Sequence, residues 1–370
     1  MNRQARNFSQ LNPRFLTWRT NFDSGEFRVH DLKRDFDNDK SLTSKLTQRL
    51  RGTLSGNFFL PTPRESEDIA AAMQDETPVD AILCHYGHVA LRMLPLAQAN
   101  GIPLVAHFHG ADISSSLRNN KYYRWSLRKN LPRFTACVAV GTKQVEALQG
   151  LGVPKDRIHL IPCGAPAELF TPKDYSSGLK ERCKFITVSR LVEWKGVDIV
   201  VKAFLELAKE RDDIELHVVG SGTLEPLLKE LARGANSPEL ITFHGEKSEA
   251  EVRALVKNSS VFIQHSLDHE SGWFEGFGVS VTEASLTSLP VIVTDSGGLS
   301  DQIKNKVNGL VVAQRSVEST LEAMKQLAVD DTLRKRLGLA GREIAMEQFE
   351  ASKLSAKLEQ LLYSVASGSL

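Results

Sequence analysis

A two-domain α/β protein, each domain built on a mostly parallel Rossmann-like sheet, is predicted by three features of the sequence. Short apolar runs alternate with longer amphipathic stretches from about residue 79 onward, which is the signature of βαβ units. The second half carries six such apolar runs, at 185–189, 215–219, 241–243, 261–264, 291–294 and 310–312, enough for a complete six-stranded sheet. The length of 370 residues is too great for one core and suits two domains of about 150 to 200 residues.

In the first half the same reading places strands at 81–84, 104–108, 137–140 and 158–161, with helices between them. Residues 164–178 are rich in Pro, Gly and Ser and lack periodicity, so the interdomain linker is expected over 164–183. The expected domains are therefore 1–163 and 184–345, followed by a C-terminal helical segment, 346–370, that packs back on the first domain. Ser248 and Glu251 form a capping box ahead of one helix, and residues 197–209 carry apolar side chains at helical spacing. The last stretch, 331–363, reads as helix only.

Composition excludes several function classes. Hydrophobic residues at 41% and charged residues at 25% describe an ordinary globular protein. With 46 Lys plus Arg against 45 Asp plus Glu, the chain has no overall field to recruit nucleic acid. Cys84, Cys137, Cys163 and Cys183 are widely spaced and make no CxxC pair, which argues against a zinc site or a disulfide framework. No apolar window is long enough to span a bilayer, and the N-terminus lacks the apolar core of a signal peptide. The expectation is a cytoplasmic protein whose N-x-S/T matches at Asn7 and Asn258 stay unmodified. The basic, aromatic stretch 118–133, with Tyr122, Tyr123 and Trp125, leaves open a peripheral contact with a membrane or with a lipid-linked or acidic acceptor; a solvated amphipathic helix explains it equally well.

The chemistry is concentrated in Glu275-Gly276-Phe277-Gly278-Val279-Ser280-Val281-Thr282-Glu283, two carboxylates flanking a Gly-rich turn that leads into a helix. Glycines let backbone approach a ligand, a helix N-terminus offers unpaired N–H groups to an anion, and carboxylates accept hydrogen bonds from vicinal hydroxyls. Such a segment suits a polyol and a phosphate. Spacing alone leaves open an ordinary strand-turn-helix junction with surface acids.

The two-glutamate pattern, Ser189-Arg190-Leu191-Val192-Glu193-Trp194-Lys195-Gly196, and Thr294-Asp295-Ser296-Gly297-Gly298 followed by Asn308-Gly309 together resemble glycosyltransferase family 4. In the first half, His85-Tyr86-Gly87, Gly101-Ile102-Pro103 and His107-Phe108-His109-Gly110-Ala111-Asp112 resemble its exopolysaccharide and lipopolysaccharide branch. The resemblance implies a GT-B fold, two Rossmann-like domains facing across a cleft, and a retaining, metal-independent transfer of sugar from a UDP-, GDP- or ADP-sugar to a glycan or glycolipid hydroxyl. No cofactor is implied, since the nucleotide-sugar is a co-substrate.

Within that resemblance, Arg190 and Lys195 neutralise the donor diphosphate. Glu283 binds the ribose, and Glu275 with Gly276, Phe277, Gly278 and Val279 holds the sugar and phosphates. Gly220, Gly222, His244 and Gly245 line the diphosphate and base pocket, although each is also readable as a turn residue. His109 is expected to face the transferred sugar, with Gly110 and Asp112 beside the donor and His107 oriented oppositely as a structural residue.

One departure from the family stands out: residues 1–25 show neither its usual first apolar strand nor its Gly-rich loop. Either the strand is missing or it is built from the segment around Phe15 to Trp18, with 27–30 as the second strand. A nicotinamide dehydrogenase is disfavoured because Gly220-Ser221-Gly222-Thr223-Leu224-Glu225 lacks the third glycine of the fingerprint. A nucleotide-sugar epimerase and a non-catalytic nucleotide-sugar-binding protein remain as alternatives.

Overall fold

The structure is a computed structural model and describes residues 7–9, 11–17, 29–31, 42–74, 78–175, 182–235 and 237–370. Trp18 and Phe27, singled out above, lie outside the described residues, as do 176–181 of the expected linker. The chain divides into two compact units, Met1–Pro162 with Ser352–Leu370, and Cys163–Ala351.

In the first unit β1 (Phe15–Thr17) pairs in parallel with β2 (Val29–Asp31). The N-terminal segment thus contains an extended run at Phe15, in a two-stranded sheet separate from the sheet described next. Two helices follow, α1 (Leu42–Ser55) and α2 (Pro63–Met73). The start of α2 is encoded locally: Thr62 accepts from the Glu65 N–H, and the Glu65 carboxylate accepts from the Thr62 N–H at 2.8 Å.

A four-stranded parallel sheet comes next, built from β3 (Ile82–His85), β4 (Leu104–Phe108), β5 (Ala136–Ala139) and β6 (Ile158–Leu160) in that spatial order. Its crossovers are α3 (Gly87–Ala99), then α4 (Ser115–Asn119) with α5 (Lys121–Asn130), then α6 (Thr142–Gly150). β4 is buried along its whole length, as a parallel strand covered on both faces must be.

The second unit holds β7 (Cys183–Val188), α7 (Val197–Leu207), β8 (Ile214–Val219), α8 (Glu225–Arg233), β9 (Ile241–Gly245), α9 (Glu249–Lys257), β10 (Val261–Gln264), α10 (Val279–Leu286), β11 (Val291–Thr294), α11 (Leu299–Gln302) and β12 (Leu310–Val312). The strands form one parallel sheet in the order β12-β11-β10-β7-β8-β9. The winding direction reverses between β7 and β10, which is the topological switch point of a doubly wound sheet. On α7 the buried residues Val197, Val200, Val201, Phe204 and Leu207 recur at helical spacing and pack with Phe185 and Val218.

Helices α12 (Val317–Val329) and α13 (Asp331–Gln348) close this unit. The described part of the expected linker, 164–175, is packed into it: Lys173 N–H donates to the Thr287 carbonyl at 2.8 Å and the Tyr175 hydroxyl to the Ser288 carbonyl at 2.6 Å.

The last helix, α14 (Ala351–Ala366), lies with the first unit from Ser352 on. Leu354, Leu358, Leu361, Leu362 and Val365 cover the face of the sheet formed by Val105, Ala136, Val138 and Ile161. Its Glu359 accepts from the Ser9 N–H at 2.7 Å and the Leu11 N–H at 3.0 Å, which ties the N-terminal residues to the same helix. Leu358 is fully buried. Leu358→Ala should lower the unfolding free energy by about 2–5 kcal/mol, read as a reduced urea midpoint of the full chain.

Candidate active site

The loops leaving β7 and β10 meet at the switch point, and Glu275 is their hub. Its Oε2 accepts from the Lys195 ammonium, from Gln264 Nε2 at 2.9 Å and from the Ser266 hydroxyl at 2.8 Å. Its Oε1 receives no hydrogen bond from the described residues. Lys195 and Glu275 are both largely buried. Removing one partner of a buried pair of this kind costs about 3–5 kcal/mol, because the other is left uncompensated.

The backbone of Glu275 is set by Gly297 and Gly298. The Gly298 N–H donates to the Glu275 carbonyl at 2.8 Å. At Gly297 φ is +53°, and a Cβ there would fall 1.9 Å from the same carbonyl, so only glycine fits. The Thr294-Asp295-Ser296-Gly297-Gly298 motif therefore shapes the site through backbone contact.

Arg190 follows β7 and is exposed. It makes no ion pair with the described residues, and its guanidinium lies over the Trp194 ring at 6.0 Å. The Lys195 ammonium lies over Trp273 at 5.3 Å, and the two indoles are 5.8 Å apart. This aromatic platform joins the two loops and steers both cations.

Gly220 and Gly222 serve the same loop. Leu191 N–H donates to the Ser221 carbonyl at 2.8 Å. Gly220 has φ +128°, and a Cβ there would meet the Ser189 carbonyl at 1.9 Å. Gly220 N–H in turn donates to the Gly245 carbonyl at 2.8 Å, and a His244 ring nitrogen lies 2.9 Å from one of His217. Burial, then the neighbouring His217 and Lys247, lower the His244 pKa.

Gly276, Phe277 and Gly278 are buried, and Val279 is the first residue of α10, so the helix N-terminus opens directly beside Glu275. Glu283 is half-buried on α10. The sequence reading missed Gln264, His265, Ser266 and Trp273. The first three end or follow β10, and the C-terminal edge of a switch-point strand is the signal that could have found them.

His109, Gly110 and Asp112 belong to the first unit, at the end of β4. Asp112 is buried, and its carboxylate accepts from the N–H groups of Gly87, His109 and Gly110, each at 3.1 Å. It thereby ties the β3 and β4 loops together. Burial raises its pKa against those bonds.

The orientation expected for His107 needs correction. Its ring stacks 4.2 Å from that of His109 and lies 5.1 Å from that of His85. Residues two apart in a strand share a face, so the two histidines point to the same side. His107 is fully buried with neither ring nitrogen hydrogen-bonded, a cost of about 1–3 kcal/mol. Burial also lowers His109 to about 4, keeping it neutral near neutral pH. Beside the cluster, Tyr86 sits at φ +74°, a costly conformation for a bulky side chain and one that gathers at functional sites.

The model of glycosyl transferases group 1 matches residues 173–344, and that of glycosyltransferase family 4 matches 35–169. The amylovoran biosynthesis glycosyltransferase AmsK of Erwinia amylovora is 24% identical over 85% of this chain and 76% of its own length. A GDP-mannose-dependent alpha-(1-6)-phosphatidylinositol monomannoside mannosyltransferase of Mycobacterium tuberculosis is 34% identical over 57% of this chain and 54% of its own. Among solved structures, a glycosyltransferase from Rickettsia africae superposes with a TM-score of 0.73 at 19% identity, over 96% of this chain and 90% of that one. The class is therefore that of the GT-B glycosyltransferases. Within it the two models together make the chain a glycosyltransferase of family 4-like type.

His265, next to the hub, supplies a pH test. Its Nε2 accepts from the Arg315 N–H at 3.2 Å, so Nδ1 carries the proton toward the Thr320 hydroxyl at 3.1 Å. That hydroxyl spends its own proton on the Ser316 carbonyl. Burial lowers the imidazole to about 4, against the pull of Asp198. The unfolded chain protonates near 6.5, so it binds the extra proton first, and stability is full above that pH and lost as pH falls toward 4. Between about pH 7 and about pH 5 this group should account for roughly 2 kcal/mol. Urea midpoints of the wild type and of His265→Gln, measured at both pH values, should differ in slope by that amount.

Proposed function

We propose that the protein transfers a hexose from a nucleoside-diphosphate sugar to a hydroxyl of a glycan or lipid-linked glycan, with retention and without a metal. The observation that carries the reading is the gathering of Arg190, Lys195, Glu275 and the α10 N-terminus at one switch point. Two cations and a helix N-terminus match a diphosphate, and the unpartnered Oε1 of Glu275 matches a sugar hydroxyl. Glu283 is assigned to the ribose hydroxyls. Gly220, Gly222, His244 and Gly245 are assigned to the pocket floor, and His109, with Gly110 and Asp112, to the transferred sugar.

In the reaction the bond from the anomeric carbon to the phosphate oxygen breaks, and the acceptor oxygen bonds to the same face. The acceptor proton passes to the departing phosphate. Arg190 and Lys195 stabilise the charge that builds on that phosphate, which is where electrostatic catalysis yields most. Orientation of both substrates supplies much of the remainder.

The acceptor side is drawn toward a lipid surface by α5. Tyr122 and Trp125 are 43% and 37% exposed among the exposed Lys121, Arg124, Arg128 and Lys129, and Phe58 packs against both rings. Leu54, near the end of α1, is 80% exposed. Apolar rings ringed by cations suit the inner leaflet of an anionic membrane, and no helix among the described residues is long and apolar enough to cross one. The phosphatidylinositol monomannoside mannosyltransferase named above supports a lipid-linked acceptor.

Saturation-transfer NMR against UDP-, GDP- and ADP-sugars should show selective binding by the wild type that Glu283→Ala abolishes; the absence of binding to every member would overturn the reading. Arg190→Ala should lower kcat about 100-fold or more, and near-normal turnover would remove its role. Sedimentation with vesicles containing phosphatidylglycerol should fall in a Tyr122→Ser/Trp125→Ser double variant, relative to the wild type, at unchanged donor binding.

A further inference from the structure

We propose that His85, His107 and His109 form a zinc-class cation site, with three imidazole nitrogens as ligands and a fourth position left to water or a substrate group. Their candidate ligand atoms all lie within 4.8 Å of one another. His85 Nδ1 and His109 Nε2 are already 2.7 Å apart. His107 is the independent observation: it is fully enclosed, beside the other two rings, and neither of its nitrogens has a hydrogen-bond partner. A lone pair directed into an enclosed site is what a cation takes up.

The backbone holds the trio in place. His85 and His107 are paired residues on β3 and β4. The His109 N–H is fixed by Asp112, which also holds the β3 loop through Gly87. Zinc lies about 2.0–2.1 Å from each imidazole nitrogen, so nitrogens around a tetrahedral ion sit a little over 3 Å apart, a small adjustment from the present spacing. An all-imidazole set favours zinc, nickel, copper or iron over magnesium and calcium, which prefer oxygen. Three protein ligands with one open position match the arrangement of zinc sites that keep an exchangeable ligand.

This site lies outside the diphosphate chemistry at Arg190 and Lys195 and is not needed for it. One consequence rests on the transferase reading: a metal bound to His109 withdraws that nitrogen from the sugar, so zinc would inhibit transfer. Binding itself does not depend on that reading and is measured without any donor.

The full chain, stripped with a chelator, is titrated with Co²⁺ and followed by visible absorption, and then with Zn²⁺ by calorimetry. Expected are one Co²⁺ per chain with the intense bands of four-coordinate cobalt, displacement by Zn²⁺, and a zinc-dependent rise in melting temperature. His85→Ala and His109→Ala should each weaken binding by more than the roughly 10- to 100-fold typical of losing an outer-shell partner and abolish the melting shift. Unchanged far-UV circular dichroism and a cooperative metal-free melting transition serve as the check that the variants are folded, and the milder His85→Asn replaces any that is not. No saturable binding, or binding unchanged in both variants because other side chains hold the metal, overturns the proposal. If metal binds as expected while no nucleotide-sugar does, the transferase reading fails and the metal site stands.

Discussion

The buried pair between Lys195 and Glu275 is the constraint on which the second unit's site depends. A carboxylate and an ammonium taken out of water need further hydrogen bonds to hold them, and these come from Gln264 and Ser266 at the end of β10. Fixing that carboxylate also requires Gly297 and Gly298 to pass close against its backbone. Loops following three strands, β7, β10 and β11, are thereby tied to one oxygen and one carbonyl, and the start of α10 is positioned as a by-product. The pair spends Oε2 and leaves Oε1, so the same contact that secures the loop leaves an acceptor for a ligand.

The first unit solves a related problem with different groups. Asp112 collects three backbone N–H groups from the loops after β3 and β4 and holds together a stack of three neutral imidazoles. Burial keeps His85, His107 and His109 from protonating, which allows their rings to pack closely without mutual repulsion. The helix α14 covers the sheet on the face that Val105 shares with His107 and fastens the N-terminal residues through Glu359. A segment near the end of the sequence thus completes the core of the unit that the chain begins.

Much of this was legible in one dimension. The strands at 104–108, 261–264 and 291–294 were readable because a strand buried on both faces is mostly apolar, and the glycines between them because left-handed turns admit little else. Lys195 and Glu275, which pair in the structure, and Arg190 on the same loop were singled out through family resemblance. Gln264 and Ser266 were not: small polar residues after a strand look alike whether they line a loop or hold a carboxylate. His107 was misread because its orientation was judged alone, although its two-residue spacing from His109 already places both on one side.

Sequence by itself determined the alternation of strands and helices, the places where backbone must come close, and the charged side chains available in each loop. These are local properties, fixed by periodicity, by glycine's missing Cβ and by residue type. Only the tertiary structure decided which charges meet. The pairing of Lys195 with Glu275 spans 80 positions, and that of His85 with His109 spans 24. Each contact exists because parallel strands bring the ends of distant segments to the same edge of a sheet, and strand order, the feature that sets this, is a global balance of burial that no local pattern carries.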